Sequence, residues 1–567
     1  MPLTDPLRDA ALAWLAADPD PETRGELDRL LERAHGGDTG PLAERFNGRL
    51  AFGTAGLRGE LGAGPQRMNR MVVRQAAAGL ARWLGPGRSV VVGFDARHKS
   101  DVFARDSARV FAGAGLRVLL FPAICPTPLL AYAIRALGAD AGVMCTASHN
   151  PARDNGYKVY VADGSQIRPP IDTEIAATIE LAAAGPIVLA DGLDEAIELV
   201  GPEVLESYLE HVIALVEPGP RDLRIVHTAM HGVGGAVALE ALGRAGFVDL
   251  HAVEQQAEPD PDFPTLAFPN PEEAGALDLA TALAEQVGAD VIIANDPDAD
   301  RLGVMVPVPN GPVVGSTRFV ALTGNQIGAL LGARVLATST GNDRLVVTTF
   351  VSSRLLARMA EAEGVHYAEV PTGFKWVVQP GLAHPDLRFV FGFEEALGYS
   401  VDEAVRDKDG ISAALRLVEL LAVARSEGRT AWDILEGLAR RFGEHATRTW
   451  SWRVEGADGI DRIAGVMASL RSTPPPELAG LAVTGCTDLC EADGARVSTD
   501  ALVLVLVDGS RVCLRPSGTE PKLKVYVEVV EPVGDGPDAY AAARAAGDTR
   551  VDRLIGAVAA ALGVEPT

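Results

Sequence analysis

Apolar residues in the first forty positions recur at helical spacing, so the chain opens on helices, and a glycine-rich loop, FGTAGLRGELGAGPQRMN at 52–69, follows. From there apolar runs of strand length alternate with helical patterns: SVVVGFD at 89–95, a helical SARVFAGAG, RVLLFPA at 117–123, a helix around 129–137, then AGVMCTA. Such alternation predicts βαβ units on a mostly parallel sheet. The layout restarts after the proline and glycine cluster VEPGPRD at 216–222, with LRIVHTAM, a helix from about 235 and the run DVIIA at 290–294. A third stretch begins near 315, carries the strand-like runs RVLATST and RFVFGF, and ends in the helix DILEGLARRFG. The layout repeats, although the residues do not.

The last stretch changes character. PPPELAG at 474–480 precedes short alternating runs, ALVLVLVDGSRVCLRPSG and KLKVYVEVVE, and a final alanine-rich helix. These predict an α+β domain with an antiparallel sheet. The expected fold is therefore three consecutive α/β domains with mixed, mostly parallel sheets (1–210, 211–320 and 321–445) and a C-terminal α+β domain (446–567).

The length of 567 residues agrees with several domains of roughly 100 to 200 residues each. A hydrophobic fraction of 47% and a charged fraction of 22% exclude a disordered chain. The net charge of -25 argues against nucleic-acid or anionic-membrane partners, which are held by lysines and arginines, so any phosphate site must be local. The five cysteines are scattered, lack zinc-site spacing and read as reduced and buried. There is no leader-like opening and no run of about 18 apolar residues, which suggests a cytoplasmic protein and leaves its oligomeric state open.

Four motifs carry candidate chemistry. CTASHNP at 145–151 leaves an apolar strand as a tight loop, placing Ser148 exposed at the strand end beside His149. NDPDADR at 295–301 sets Asp296, Asp298 and Asp300 directly after the strand VIIA, where alternate carboxylates can turn inward on a magnesium ion. An EF-hand is excluded, since its sixth and twelfth positions would be Arg301 and Pro307; a solvated acidic turn is the other reading, disfavoured because three bare aspartates would repel each other. RPSGTEPK at 515–522 offers a phosphate the guanidinium of Arg515, the hydroxyls of Ser517 and Thr519, and close backbone approach at Gly518, although such a turn needs no ligand. GFEEALGYS at 392–400 places Glu394 and Glu395 at a strand end, as sugar-hydroxyl acceptors or as a solvated pair. The loop PTGFK at 371–375 (Thr372, Gly373, Lys375) and RDKDG at 406–410 (Arg406, Lys408) add positive charge.

In this order and at these separations, the four motifs resemble those of the α-D-phosphohexomutase superfamily, the phosphoglucomutases and phosphomannomutases, over nearly the whole chain. FGTAGLRG, HTAMHGVG at 227–234 and GFEEALGY are similar to the phosphoglucomutase-2-like branch, which also holds phosphopentomutases. The resemblance implies a heart-shaped fold with one loop per domain around a central cleft. It implies that Ser148 carries a phosphoryl group, and that Asp296, Asp298, Asp300 and an oxygen on Ser148 surround Mg²⁺. His149, Lys158 and Arg58 match positions at the reaction centre, and Arg301 a positive residue lining it. Glu394 matches the sugar-binding carboxylate, Arg515, Ser517, Gly518 and Thr519 match the site of the non-reacting phosphate, and Lys408 is a helper. Ala396 departs from the serine of many family sugar loops, which bears on the choice of sugar.

The implied activity interconverts hexose 1- and 6-phosphates through a hexose 1,6-bisphosphate, glucose phosphate first, with mannose or pentose phosphate as alternatives. His149 and Lys158 both remain candidates for the proton acceptor. The rivals are a metal-dependent sugar phosphatase, which would not need a second phosphate site, and a non-enzymatic phosphosugar sensor.

Overall fold

A computed structural model describes residues 4–191, 196–308, 318–454, 458–490, 498–517 and 521–564. The chain forms two compact units, Met1–Leu322 with Gly398–Val423, and Thr323–Leu397 with Ala424–Thr567. Among the described residues, no helix is long and apolar enough to cross a membrane.

The first unit opens on the helices Asp5–Ala17, Pro21–His35 and Gly40–Phe46 and then builds two sheets. In the six-stranded sheet the order is Leu57–Glu60, Asp154–Val161, Ala141–Cys145, Ser89–Phe94, Arg117–Leu120, Ile197–Leu199. Its last four strands run parallel and its first two pair antiparallel. The central strand reads VVV without interruption because both faces are covered. Val90, Val92 and Phe94 pack with Val73, Phe103 and Phe111. Val91 points the other way, to Leu130, Ile134 and Tyr208. The five-stranded sheet has the order Phe319–Ala321, Gly303–Pro307, Val291–Ala294, Ile225–Thr228, Leu250–Ala252, parallel in its last three strands. In both sheets the catalytic candidates follow the carboxyl end of a parallel strand, Cys145 in one and Ala294 in the other, where open α/β sheets bind ligands.

In the second unit, His366–Val370, Arg344–Thr349 and Arg388–Glu394 pair in parallel. The run RVLATST does not form the expected strand: Arg334–Thr338 end the helix Gly324–Thr338. Thr323 and Gln326 close a capping box at its start, and its alanines and leucines extend the helix past the β-branched Val335. Short apolar runs cannot be assigned by composition alone, and here the upstream cap at Thr323 decides. The C-terminal sheet is antiparallel, in the order Glu444–Arg453, Lys522–Glu531, Arg511–Pro516, Leu502–Leu506, Leu481–Asp488, Glu477–Leu478. The helices Gly459–Ser472 and Ala539–Ala561 complete its core.

Within this unit, Glu528 is buried among donors. It accepts hydrogen bonds from Ser353 Oγ (2.8 Å), the Arg354 amide (2.8 Å) and His445 Nδ1 (2.9 Å), and Arg511 lies at 3.2 Å. Burial opposes its charge, but Arg511, His445 and Arg354 together hold its carboxyl well below the ordinary value of 4.5. A lowered folded pKa stabilises above the ordinary value and is lost as pH falls below it. Glu528→Gln should destabilise this unit by about 3 kcal/mol at neutral pH, because the buried Arg511 would keep only Glu369, a partly exposed carboxylate 3.3 Å away, as counter-charge. The loss should shrink below pH 4.5, the ordinary value for the group. Urea unfolding followed through Trp432 and Trp450 reads both effects.

Candidate active site

The strand Ala141–Cys145 delivers the chain into a turn in which Thr146 Oγ1 accepts the Ser148 amide at 2.9 Å and Ser148 sits at φ 52°. A non-glycine residue there is uncommon and needs its surroundings to hold it. Arg97 does so: its guanidinium donates to the carbonyls of Ser148 (2.6 Å), Pro151 (2.8 Å) and Asp154 (3.2 Å), and also to that of Asn150. Asp95 at the end of the central strand faces Arg97 at 3.5 Å. The loop is thereby sealed, and Ser148 is 3% exposed, contrary to its expected exposure. Arg58 reaches the same loop through Asn150 Oδ1 at 3.2 Å. It is delivered by a close crossing at Gly56, where a Cβ would lie 1.8 Å from the Tyr157 carbonyl.

Ser148 Oγ donates to Asp296 Oδ2 at 2.8 Å and lies 3.1 Å from His149 Nδ1. Asp296, Asp298 and Asp300 are buried, and each offers an oxygen within 4.8 Å of the others. Lys158 Nζ donates to Asp298 Oδ2 at 2.7 Å and Asp300 Oδ2 at 2.8 Å, and Lys408 Nζ lies 3.4 Å from Asp300 Oδ2. Lys408 is held by Asp407, which also receives the Tyr160 hydroxyl and the Gln166 amide. Burial and the two neighbouring carboxylates push Asp296 well above the ordinary carboxylate range. Asp300 is held far below it, since Lys158, Lys408 and Arg301 outweigh its burial. Burial and the charges of Arg301 and Arg58 drive His149 well below its ordinary value, so it is neutral.

These residues fit a hard cation. Asp298 Oδ1 and Asp300 Oδ1 are buried carboxylate oxygens with no hydrogen-bond partner among the described residues. Such oxygens are costly unless something positive meets them. The loop is held from behind by HTAMHGVG: the Val233 amide donates to the Pro297 carbonyl at 2.8 Å, and a Cβ on Gly232 would lie 2.3 Å from Pro297 Cα. From the side, Thr127 donates its amide to the Asp298 carbonyl (2.9 Å) and its hydroxyl to Asp298 Oδ2 (2.6 Å).

In the second unit, Glu394 ends the strand Arg388–Glu394. The Glu395 amide donates to Ser352 Oγ at 3.1 Å, and Glu395 Oε2 accepts from Ser352 Oγ (3.3 Å) and Thr349 Oγ1 (3.4 Å). Thr372, Gly373 and Lys375 lie where the strand His366–Val370 turns into the helix Phe374–Val377. Arg515 ends its strand and hydrogen-bonds the Tyr526 hydroxyl. Burial and the neighbouring Glu395 push that phenol up, while Arg515 pulls it back. Tyr526 thus feels the charges of both Glu395 and Arg515. The Ser517 amide donates to the Lys522 carbonyl at 2.7 Å, and Gly518 and Thr519 lie outside the described residues.

Four family models match consecutive stretches of the chain. They are phosphoglucomutase/phosphomannomutase α/β/α domain I at 49–184, domain II at 206–309 and domain III at 323–442, and the C-terminal domain at 453–533. The chain belongs to the phosphoglucomutase/phosphomannomutase family. A Haemophilus influenzae relative named "Probable phosphomannomutase" is 43% identical over 469 residues, covering 81% of this chain and 93% of that protein. The phosphoglucomutase of Staphylococcus aureus strain MRSA252 is 35% identical over 506 residues, covering 86% of this chain and 90% of its own. The open form of the Paramecium phosphoprotein pp63/parafusin, a phosphoglucomutase, shares the fold: its TM-score is 0.68 at 20% identity, over 91% of this chain and 96% of that one.

Three residues of this phosphoglucomutase/phosphomannomutase chain escaped the sequence reading: Arg97, Thr127 and Tyr526. Arg97 lies in the loop after a strand and Thr127 opens the helix Thr127–Ala136, and their partners are distant in the chain, so no short-range spacing marks them. Tyr526 could have been found by counting along its alternating strand, since it pairs with Cys513, two residues before Arg515. The cysteines correct another expectation. All five are free, but only Cys125, Cys145 and Cys513 are buried, while Cys486 and Cys490 are exposed near the outer edge of the C-terminal sheet.

Proposed function

We propose that this protein is a cytoplasmic phosphosugar mutase that interconverts hexose 1-phosphate and hexose 6-phosphate, with glucose phosphate as first substrate and mannose or pentose phosphate behind it. The observation that carries this reading is the hydroxyl of Ser148, 2.8 Å from the first of three buried carboxylates, two of whose oxygens have no hydrogen-bond partner among the described residues. Each of four domains (1–210, 211–320, 321–445 and 446–567) supplies one loop: nucleophile, metal, sugar and phosphate.

Asp296, Asp298, Asp300 and an oxygen on Ser148 would hold Mg²⁺, which when bound neutralises charge on the transferring phosphoryl group. Phosphoryl transfer asks of a protein mainly alignment and charge compensation. Phospho-Ser148 would give its phosphoryl group to the free hydroxyl of a hexose 1-phosphate: the bond from phosphorus to Oγ breaks and one to the sugar oxygen forms. His149 and Lys158 are the candidate acceptors of the hydroxyl proton; the His149 ring lies beside Oγ, the leaving oxygen, and Lys158 Nζ is engaged with two carboxylates. Lys158, Arg58, Arg301 and Lys408 supply positive charge. The resulting hexose 1,6-bisphosphate, also the priming species, turns over and returns its other phosphate to Ser148.

Glu394 and Glu395, with Thr372, Gly373 and Lys375, would meet the sugar. Arg515, Ser517, Gly518 and Thr519 would hold the phosphate that is not reacting. Removing a charge-assisted phosphate contact is worth about 1.5–3 kcal/mol, so Arg515→Ala should raise KM roughly 10- to 100-fold, with a smaller change in kcat. Steady-state kinetics on both substrates of the reversible reaction checks it.

The function itself is tested by phosphorus NMR on the purified protein with Mg²⁺ and a trace of hexose 1,6-bisphosphate, supplied separately with glucose 1-phosphate, mannose 1-phosphate and ribose 1-phosphate. Appearance of a 6- or 5-phosphate without inorganic phosphate supports the mutase, and the fastest substrate identifies the sugar. Inorganic phosphate alone would make the protein a phosphatase, and no change would make it a sensor.

A further inference from the structure

The segment 258–273 leaves the short helix Glu254–Ala257 and carries two phenylalanines toward the nucleophile loop. The Arg97 guanidinium lies over the Phe263 ring, 4.9 Å from its centroid, and Arg97 is the group that gathers the carbonyls around Ser148. The Phe268 ring stands 6.3 Å from the ring of His149, the side chain next to Ser148 Oγ. The segment is built to hold these places. Phe263 is buried at φ 46°, a conformation that a bulky residue keeps only under tertiary constraint. The Asp260 amide donates to the His231 carbonyl at 3.0 Å, and Thr265 Oγ1 meets His231 Nε2 (2.8 Å) and Gln256 Nε2 (3.0 Å). His231 belongs to the same HTAMHGVG turn that backs the acidic loop, so one anchor serves both loops.

A mutase that works through phosphoserine has a side reaction to suppress. Water can attack the phosphorus; the bond to Oγ then breaks, a proton returns to Ser148 and inorganic phosphate leaves. Each such event leaves an enzyme that must be primed again by bisphosphate. Groups that hold the loop and cover its flank with apolar surface lower the rate of that loss.

We propose that Phe263 and Phe268 are positioning residues that protect phosphorylated Ser148 from hydrolysis, Phe263 by fixing Arg97 and Phe268 by covering His149. This rests on the mutase reading above. Neither ring needs to touch the sugar for this purpose: Phe263 acts on the loop backbone through a cation–π contact, and Phe268 acts on the imidazole.

The test is the lifetime of the phosphoenzyme. The full chain with Mg²⁺ is labelled with hexose 1,6-bisphosphate carrying ³²P, freed of bisphosphate and followed for release of inorganic phosphate. Phe268→Ala should release label about three- to tenfold faster than the native enzyme, and Phe268→Leu, which keeps an apolar cover, should stay near the native rate. Phe268→Gln keeps part of the side-chain volume and removes the apolar character; it carries the same expectation as alanine and stands in if that variant does not fold. A merely structural role would lower the melting temperature and leave release from the folded fraction unchanged. Equal release rates in native and variant enzymes would overturn the protection while leaving the mutase intact. Failure of the native enzyme to take up label would overturn the mutase reading, and the protection with it.

Discussion

Ser148→Ala should lose mutase turnover by at least about 10⁴-fold while remaining folded, because in the proposed mechanism the variant lacks the oxygen that carries the phosphoryl group between the two half-reactions. The loop does not depend on that oxygen. Its shape is set by the Arg97 contacts to four carbonyls and by the Thr146 hydroxyl on the residue-148 amide, all of which an alanine preserves. The backbone strain at φ 52° is borne by serine already. The losses are the hydrogen bond to Asp296 Oδ2 and the contact with His149 Nδ1, which together cost about 1–3 kcal/mol in the metal-free protein, too little to unfold a chain of this size. Circular dichroism reads the fold, and phosphorus NMR with added bisphosphate reads turnover. Activity within tenfold of native would mean that another group carries the phosphoryl, or that transfer is direct between sugars.

The parts of this site legible in the sequence are those whose chemistry is written in consecutive residues. Three aspartates at alternate positions after an apolar strand point to a cation site more readily than to a solvated acidic turn, because three bare carboxylates brought together at a strand end repel each other. The order of strands and helices in the first unit was legible for a similar reason. Its central strands are buried on both faces and so read as unbroken apolar runs between amphipathic helices. What stayed hidden is what depends on distant partners. Ser148 was expected at an exposed strand end, since a loop seen locally looks open; it is closed by Arg97 and the acidic loop, from two other places in the chain. The run at 334–340 looked like a strand for a related reason: its valine and threonines have β preference, but a capped helix already under way carries them along. The motif HTAMHGVG was visible as a family signature but mute as chemistry. Its role is steric, since only the absence of a side chain at Gly232 lets Pro297 lie where it does.

Asp296→Asn should separate catalysis from stability more sharply than any other change at the site. Turnover should fall by about 10³-fold or more, because the substitution removes a charged oxygen ligand beside the reacting serine. Stability of the metal-free protein should not fall with it. The asparagine oxygen can still accept the Arg301 amide, which lies 3.0 Å from Asp296 Oδ1, and its amide can donate to the Ser148 hydroxyl where the carboxylate now accepts. The charge itself is unfavourable here: burial, Asp298 and Asp300 raise the proton affinity of Asp296 well above the ordinary value of 3.8. A carboxylate with a raised folded pKa costs nothing below that ordinary value, and its penalty grows as pH climbs toward the raised one. In chelator, therefore, the variant should melt at or above the native temperature, with the difference widening as pH rises from 4 toward 7. Saturating Mg²⁺ should reverse the order, since a cation held at about 100 times its dissociation constant adds roughly 2.7 kcal/mol to the native protein and far less to a variant with a weakened site. Calorimetry in chelator and in Mg²⁺ at two pH values distinguishes the cases. A variant that keeps both the Mg²⁺-dependent rise in melting temperature and its turnover would place the cation elsewhere; one that melts lower than native in chelator would show that the Asp296 charge serves the fold, and that the acidic triad is structural before it is catalytic.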